Sequence, residues 1–125
     1  MNIIPIIYEN DEILIINKPV GLAVQGGEGV SSSVDTVLPT QLGYKVFLVH
    51  RLDRNTGGAM VLSKMQKATG KLSEAIQKRE FEKEYIAVVD GHIDKNHQVI
   101  DAPIARKEDS IIDRKISRKR GQCLL

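Results

Sequence analysis

Short aliphatic runs, each closed by proline, glycine or a polar cluster, are the feature that most restricts the fold of this chain. These runs cover residues 3–7, 13–16, 46–49, 59–62, 82–90, 99–104 and 110–116. Runs of this length that are rich in β-branched residues and bounded by turn residues are typical of strands. None of them approaches the roughly 20 apolar residues that are needed to cross a bilayer. The sequence therefore predicts a sheet of short strands and no membrane association.

Two segments carry helical signals instead. Ser31–Ser33 offers N-caps for a helix over Val34–Leu42, and Gly43 follows as a stop signal. Farther along, apolar residues recur at helical spacing with lysines on the opposite face, namely Ala68, Leu72, Ala75 and Ile76. Strand pairs joined by turns, with only two helices, favour an α+β fold over a doubly wound one. We expect a mixed, largely antiparallel sheet that is flanked by helices.

The length of 125 residues corresponds to a single domain or part of one. No internal repeat or low-complexity linker suggests a boundary, so residues 1–125 are interpreted as one domain. The last residues, Gly121–Leu125, resemble the start of another apolar strand, which suggests that the fold is incomplete at the C-terminus. The single cysteine, Cys123, excludes an intramolecular disulfide and fits a reducing compartment. We expect a cytoplasmic protein.

Basic charge is concentrated toward the C-terminal end. The whole chain has a formal charge of +2, whereas residues 106–120 hold seven basic residues against three acidic ones. Such a cluster is a candidate surface for contacts with phosphates. On charge alone, a solvated tail or an exposed hairpin explains it equally well.

The densest polar cluster is the nonapeptide at residues 50–58, which lies in a predicted turn between two predicted strands. Its aspartate, Asp53, is flanked by Arg51 and Arg54, and an ionised carboxylate can act as a nucleophile or a base. Asp53 could equally cap the turn by accepting a backbone N–H, which is ordinary turn chemistry. Spacing alone does not decide between these two interpretations.

The nonapeptide, HRLDRNTGG, resembles the HRLDxxTSG signature of the RluA-type RNA pseudouridine synthases, with Gly57 where that family usually has serine. Three further elements occur in the order that is seen in this family. They are the N-K-P-x-G element at 17–21, the K-x-Y-x-A-x-V element at 83–89 and the D-x-P-I-x-R element at 101–106. Together the four elements extend over most of the chain. The resemblance implies the catalytic fold of these enzymes, with residues 1–125 as its N-terminal part and no S4-type domain before it.

The resemblance also implies a reaction, the isomerisation of specific uridines in structured RNA to pseudouridine. Asp53 matches the aspartate nucleophile of the family. Arg51 matches an arginine that helps to displace the target base, since a base inside a stack must be flipped out before it can react. Tyr85 matches a tyrosine that is expected to stack on the uracil, and Thr56 is expected to brace the loop. No redox step occurs, so no cofactor and no metal are implied.

The expected partner is a ribosomal or transfer RNA, and we expect the protein to be a monomer. Candidates for contacts with the RNA backbone are Lys18, Arg106, Arg114 and Lys115. For Lys18 the alternative is a framework role at the end of the strand. A second hypothesis is a catalytically silent RNA-binding module, motivated by the early end of the chain. The sequence leaves open which RNA and which uridine are recognised, and whether the acid attacks the sugar or assists elimination.

Overall fold

The computed structural model describes residues 3–106 and 114–116, and for residues 105, 106 and 114–116 it describes the backbone. The chain divides into two compact units, residues 1–85 and residues 86–125. The interpretation of residues 1–125 as one catalytic domain stays a prediction.

The first unit contains a four-stranded sheet. Its strands are β1 (Ile6–Glu9), β2 (Ile13–Lys18), β3 (Phe47–Leu48) and β4 (Gly58–Ser63). They lie in the order β1-β2-β4-β3, and every neighbouring pair is antiparallel. Each strand coincides with, or overlaps, one of the aliphatic runs. The predicted α+β fold with a largely antiparallel sheet is confirmed.

The two predicted helices are also confirmed. Helix α1 covers Val34–Leu42 and begins after Ser33, and helix α2 covers Gln66–Gln77. Val34 and Leu38 lie one helical turn apart on α1 and are both fully buried, which fixes the face that α1 presents to the core. Within the part of the chain that the structure describes, no helix is both long and apolar enough to span a membrane.

The core of this unit forms where one face of the sheet meets α1. Leu14 and Ile16 alternate along β2 and lie opposite Leu62 and Met60 of β4. Since side chains two residues apart in a strand share a face, these four form one apolar layer. The buried cluster consists of Ile4, Leu14, Ile16, Val24, Val34, Leu38, Leu52, Met60 and Leu62.

The second unit contains a short hairpin of β5 (Ile104–Arg106) and β6 (Arg114–Ile116). Its register places Arg106 opposite Arg114 and Ala105 opposite Lys115. The strand predicted over 99–104 is wrong except at its last residue, where β5 begins. The strand predicted over 110–116 is found at 114–116, while residues 110–113 and the predicted C-terminal strand at 121–125 lie outside the described residues.

The prediction of a long strand over residues 82–90 is wrong. This segment belongs to no strand, and Ile86 and Val88 are 99% and 100% exposed. Its alternating pattern suits a half-buried strand, but a strand also needs a neighbour that pairs with its backbone N–H and C=O groups. No strand in the described part of the chain pairs with this segment, so the pattern alone does not produce a strand.

Candidate active site

The nonapeptide forms most of the connection between β3 and β4 in the first unit. Leu52 is buried in the core at 8% exposure, whereas its neighbours Arg51 and Asp53 are exposed. A buried leucine in the middle of a polar loop anchors that loop to the sheet, since exposing it would return apolar surface to water. The loop is therefore held by the core and presents polar side chains on its outer side.

Asp53 lies in a tight turn of this loop. The backbone N–H of Thr56 donates to the backbone carbonyl of Asp53 at 3.0 Å. The hydrogen bond that closes the turn is therefore accepted by the backbone of Asp53 and not by its carboxylate. The exposure of Asp53 meets the first requirement for a carboxylate that must reach a substrate, because a group sealed in the core could not do so.

Lys18 lies next to this turn and contacts its backbone. It is the last residue of β2 and is only 1% exposed. Its ammonium donates to the backbone carbonyls of Pro19 at 2.9 Å, Leu22 at 2.7 Å and Arg54 at 3.2 Å. This burial does not support the predicted contact between Lys18 and an RNA phosphate, since a phosphate cannot reach an ammonium that the protein encloses.

The electrostatics of Lys18 follow from this position. Burial lowers the pKa of Lys18 because it disfavours the charged ammonium, and the negative charge of Asp53 raises that pKa. Burial is the larger of the two effects. The charges of Lys18 and Asp53 are therefore close enough to attract each other within the loop region.

The two arginines of the nonapeptide have different surroundings. Arg54 makes two hydrogen bonds with Gly21 in the loop that follows β2. Its Nε donates to the Gly21 carbonyl at 3.0 Å, and its own carbonyl accepts the Gly21 N–H at 2.7 Å. Gly21 adopts a φ of +89°, a conformation that side chains rarely allow. Arg51 is exposed, and its Nη1 donates to Gln25 Oε1 at 3.3 Å.

Close packing around position 57 accounts for the glycine that stands there in place of the serine of the family signature. A Cβ at this position would lie 2.8 Å from Val20 Cγ2 and 3.2 Å from the Lys18 carbonyl oxygen. Both distances are shorter than ordinary van der Waals contacts. The loop after β2 and the nonapeptide therefore pack too closely for a serine at position 57 without some movement.

His50 has a structural role at the start of the nonapeptide. Its Nε2 accepts the backbone N–H of Val61 at 3.0 Å. Strand β3 ends at Leu48, so the imidazole takes over a bond to β4 just beyond the last paired residue of β3. Burial lowers the pKa of His50, and the positive charge of Lys83 lowers it further.

The remaining predicted site residues are Thr56, Tyr85 and the three basic residues of the hairpin. Thr56 is half-buried and closes the turn through its backbone N–H. Tyr85 is 59% exposed and lies outside the sheet, in the segment that was predicted to be a strand. Arg106, Arg114 and Lys115 belong to the hairpin of the second unit. In the described part of the chain, no group of three His, Cys, Asp or Glu residues is arranged to hold a metal ion.

Sequence reasoning allowed a framework role for Lys18 at the end of the strand but missed the burial of its side chain. A signal for it existed, because Leu14, Ile16 and Lys18 follow the two-residue period of a strand and so share the buried face of β2. The partners of its ammonium could not be read in the same way. One of them, the Arg54 carbonyl, lies 36 residues away in the sequence.

Comparisons with known proteins show which family this chain resembles. A family profile described as RNA pseudouridylate synthase matches residues 12–123. Ribosomal large subunit pseudouridine synthase C of Rickettsia bellii is 39% identical over 108 residues, which are 85% of this chain and 36% of that relative. The enzyme of the same name from Pasteurella multocida is 37% identical over 105 residues, 82% of this chain and 32% of its own length. The chain thus spans about a third of the length of these relatives.

Solved structures agree at the level of the fold. The human protein RNA Pseudouridylate Synthase Domain Containing 1 superposes with a TM-score of 0.75 over 95% of this chain and 46% of its own, at 21% identity. The human protein RNA Pseudouridylate Synthase Domain Containing 4 superposes with a TM-score of 0.53 over 61% of this chain and 30% of its own, at 30% identity. The family profile covers most of the chain, and on that ground this protein belongs to the RNA pseudouridylate synthase family.

Proposed function

We propose that this chain isomerises uridine in RNA to pseudouridine, with the Asp53 carboxylate as the nucleophile. The observation that carries the proposal is the placement of Asp53, which is exposed on a loop that the core and the β2 end both hold. A nucleophile must be accessible and also fixed in place, because misplacement by about 1 Å can cost about a hundredfold in rate. Family membership supplies the reaction class.

The chemistry of the reaction suits a single carboxylate. The bond between N1 of uracil and C1′ of ribose breaks, the base turns, and C5 forms a new bond to C1′ while its proton leaves and N1 gains one. Breaking a glycosidic bond builds positive charge at the sugar, which a carboxylate can capture or stabilise. Atoms and electrons balance within the substrate, so the reaction needs no oxidant or reductant.

Other residues of the site are assigned supporting roles in this proposal. Arg51 precedes the buried Leu52 in the sequence and is itself exposed, so it can help to displace the target base from its stack. Tyr85 is largely exposed and supplies an aromatic face for the uracil. Thr56 braces the turn that contains Asp53, and its bond to the Asp53 carbonyl supports this role.

The proposed substrate is ribosomal RNA of the large subunit, because the curated relatives are named for that RNA. The hairpin residues Arg106, Arg114 and Lys115 are proposed to contact the phosphate backbone. A transfer RNA substrate is the second candidate. The protein is proposed to act as a monomer in the cytoplasm.

The test is to incubate the protein with a large-subunit ribosomal RNA transcript and, separately, with a transfer RNA transcript, and to map pseudouridine by carbodiimide chemistry. We expect conversion at discrete uridines of the ribosomal transcript. Asp53→Asn keeps the size of the side chain but removes its charge, and we expect it to lower turnover at least about a thousandfold.

Asn55→Ala is the matched control, because Asn55 is an exposed polar residue of the same turn. This variant should retain wild-type turnover. RNA binding by the wild-type chain without any conversion would instead favour the RNA-binding module. Equal turnover by the wild type and Asp53→Asn would reject Asp53 as the nucleophile.

A further inference from the structure

Arg51 is joined to a residue outside the nonapeptide. Its Nη1 donates to Gln25 Oε1 at 3.3 Å, across 26 positions of the sequence. Both side chains are exposed, and both residues belong to the first unit. The proposed reaction uses Arg51 to displace the target base and contains no role for Gln25.

The backbone on both sides of Gln25 is bonded to the start of α1. Val24, the residue before it, is buried at 4% exposure, and its carbonyl accepts the Asp35 N–H at 3.1 Å. The N–H of Gly26, the residue after it, donates to the Asp35 carboxylate at 3.5 Å. Gln25 therefore extends an exposed side chain from a fixed piece of backbone, and such a side chain can restrain a flexible neighbour.

The contact suits an arginine that must act on RNA. A guanidinium carries more N–H donors than one contact uses, so donors remain for RNA. The amide oxygen of Gln25 is uncharged, so it does not cancel the positive charge of Arg51 as a carboxylate would. At 3.3 Å the bond is long for an N–H···O hydrogen bond, so Arg51 can leave it when RNA binds.

Ordering Arg51 in advance has a physical benefit. A long side chain loses conformational freedom when it is fixed against a ligand, and this loss opposes binding. A contact that already restricts the side chain in the free protein reduces the loss that remains. The benefit appears in the step in which Arg51 acts.

We infer that Gln25 is a positioning residue, whose side-chain oxygen orders the Arg51 guanidinium before RNA binds and so speeds displacement of the target base. This inference rests on the proposed function, in which Arg51 helps to displace that base. Gln25 is assigned no contact with the reacting atoms. Its effect should therefore shrink when the target base is easy to flip.

The first experiment needs no RNA. Nuclear magnetic resonance relaxation of ¹⁵N-labelled arginine gives the order parameter of each Nε–H bond, and values below about 0.6 mark a flexible group. We expect the value for Arg51 to lie above about 0.6 in the wild type and below it in Gln25→Ala. Arg54 is the internal reference, because its Nε donates to the Gly21 carbonyl. A low value for Arg51 in the wild type, or an unchanged value in Gln25→Ala, would overturn the inference.

The second experiment separates base displacement from the later steps. Two RNA substrates carry the uridine that the protein converts, paired in one and opposite a mismatched base in the other, because a mismatched base is easier to flip. Single-turnover rates are measured at saturating protein. Gln25→Ala should lower the rate by about 3- to 10-fold on the paired substrate and less than about twofold on the mismatched one.

Other outcomes of the second experiment reject the role of Gln25. An equal loss on both substrates would point to a general structural effect. A faster rate in Gln25→Ala would mean that the contact restrains Arg51 instead of preparing it. Weaker RNA binding at unchanged rates would mean that Gln25 contacts RNA directly.

Two further variants serve as controls. Gln25→Glu keeps an oxygen that can accept from the guanidinium, so it should keep the order parameter of Arg51 above about 0.6. Gln77→Ala makes the same substitution as Gln25→Ala at an exposed residue, the last of α2. It should leave the order parameter and both rates at their wild-type values.

The proposed function and this inference can fail separately. If the wild-type chain converts no uridine, the proposed function fails, and the relaxation experiment then decides alone whether Gln25 orders Arg51. If the wild type is active and Gln25→Ala changes neither the order parameter nor the rates, the proposed function stands and the role of Gln25 is rejected.

Discussion

At the scale of single residues, adjacent positions of the nonapeptide have different roles. Leu52 enters the core, and Asp53 stays exposed beside it. Arg54 offers its carbonyl to Lys18 and to the Gly21 N–H. His50 accepts a backbone bond from β4. Anchoring and chemistry are thus assigned to different residues, which allows a polar loop to be rigid without burying its carboxylate.

Gly57→Ala tests the close approach of the two loops. We expect it to lower the free energy of unfolding by about 1–2 kcal/mol, as is usual for an added methyl group in a tightly packed place. Val20 can rotate away because it is largely exposed, but the Lys18 carbonyl belongs to the end of β2. Adding Val20→Ala should therefore restore only part of the loss, as measured by urea unfolding.

Gly27→Ala is the control for this experiment. A Cβ at Gly27 would meet no atom within 4 Å. Its effect on the free energy of unfolding should stay within about 0.5 kcal/mol. Equal effects at Gly57 and Gly27 would show that the two loops do not approach each other as closely as the structure indicates.

We expect His50 to make the stability of the protein depend on pH. Because its pKa is lowered in the folded state, the unfolded chain binds the proton more readily, and stability falls as the pH drops below the ordinary histidine value of about 6.5. Protonation also removes the lone pair that accepts the Val61 N–H. We expect a loss of about 1 kcal/mol between pH 7.5 and pH 5 from this bond.

His50→Gln provides the comparison, since glutamine can accept a hydrogen bond and does not titrate in this range. Its unfolding midpoint in urea should change less between pH 7.5 and pH 5 than that of the wild type. His92→Gln is the matched control for the substitution itself, and because the His92 side chain is 87% exposed, its unfolding midpoint at pH 7.5 should match that of the wild type. A His50→Gln profile that matches the wild type would assign the pH dependence to other groups.

At the scale of elements, the site depends on where β2 ends. Lys18 is the last residue of that strand and pairs with Gly58, the first residue of β4. The loops that leave these two positions are therefore adjacent, and one ammonium can bond both of them. The antiparallel pairing of β2 and β4 is what brings residues 18–22 next to residues 50–58.

The segment at 82–90 gives a prediction at the same scale. Ile86 and Val88 are fully exposed, so Ile86→Thr with Val88→Thr should change the free energy of unfolding by less than about 0.5 kcal/mol. Leu14→Ala is the control, and it should cost about 2–5 kcal/mol because Leu14 is fully buried. A large loss from the double threonine variant would mean that this segment is packed in solution.

At the scale of the whole molecule, charge is unevenly distributed and the first unit carries the candidate site. If the basic residues of the hairpin contact phosphates, RNA affinity must fall as salt is added. The logarithm of the association constant then falls with the logarithm of the salt concentration, with a slope of about 0.7 per contact for single strands. Replacing Arg106, Arg114 and Lys115 by glutamine should then reduce the slope by about 2. Filter binding between 50 and 200 mM salt, roughly the range over which such effects are large, measures it.

The matched control replaces three exposed lysines on or next to α2, namely Lys67, Lys71 and Lys78. It removes the same charge from another element and should leave the salt slope unchanged. If both triple variants reduce the slope equally, net charge rather than the hairpin governs binding. If neither does, the hairpin residues make no phosphate contact.

The sequence by itself determined the elements whose signals are local. Helix α1 follows from its serine cap and glycine stop, and β2 and β4 follow from short aliphatic runs that end at turn residues. The nonapeptide was recognisable as the candidate site because its contiguous residues resemble the signature of a known family. Periodicity, capping and motif spacing are all properties of neighbours along the chain, so one sequence is enough to read them.

The tertiary structure decided the features that join distant segments. Whether residues 82–90 form a strand depends on a pairing partner, and the need for Gly57 depends on Val20 and the Lys18 carbonyl. The direction of the Lys18 ammonium depends on a carbonyl 36 residues away. Burial and hydrogen bonding are set by which groups meet in space, and the order of residues along a chain specifies this only after the chain has folded.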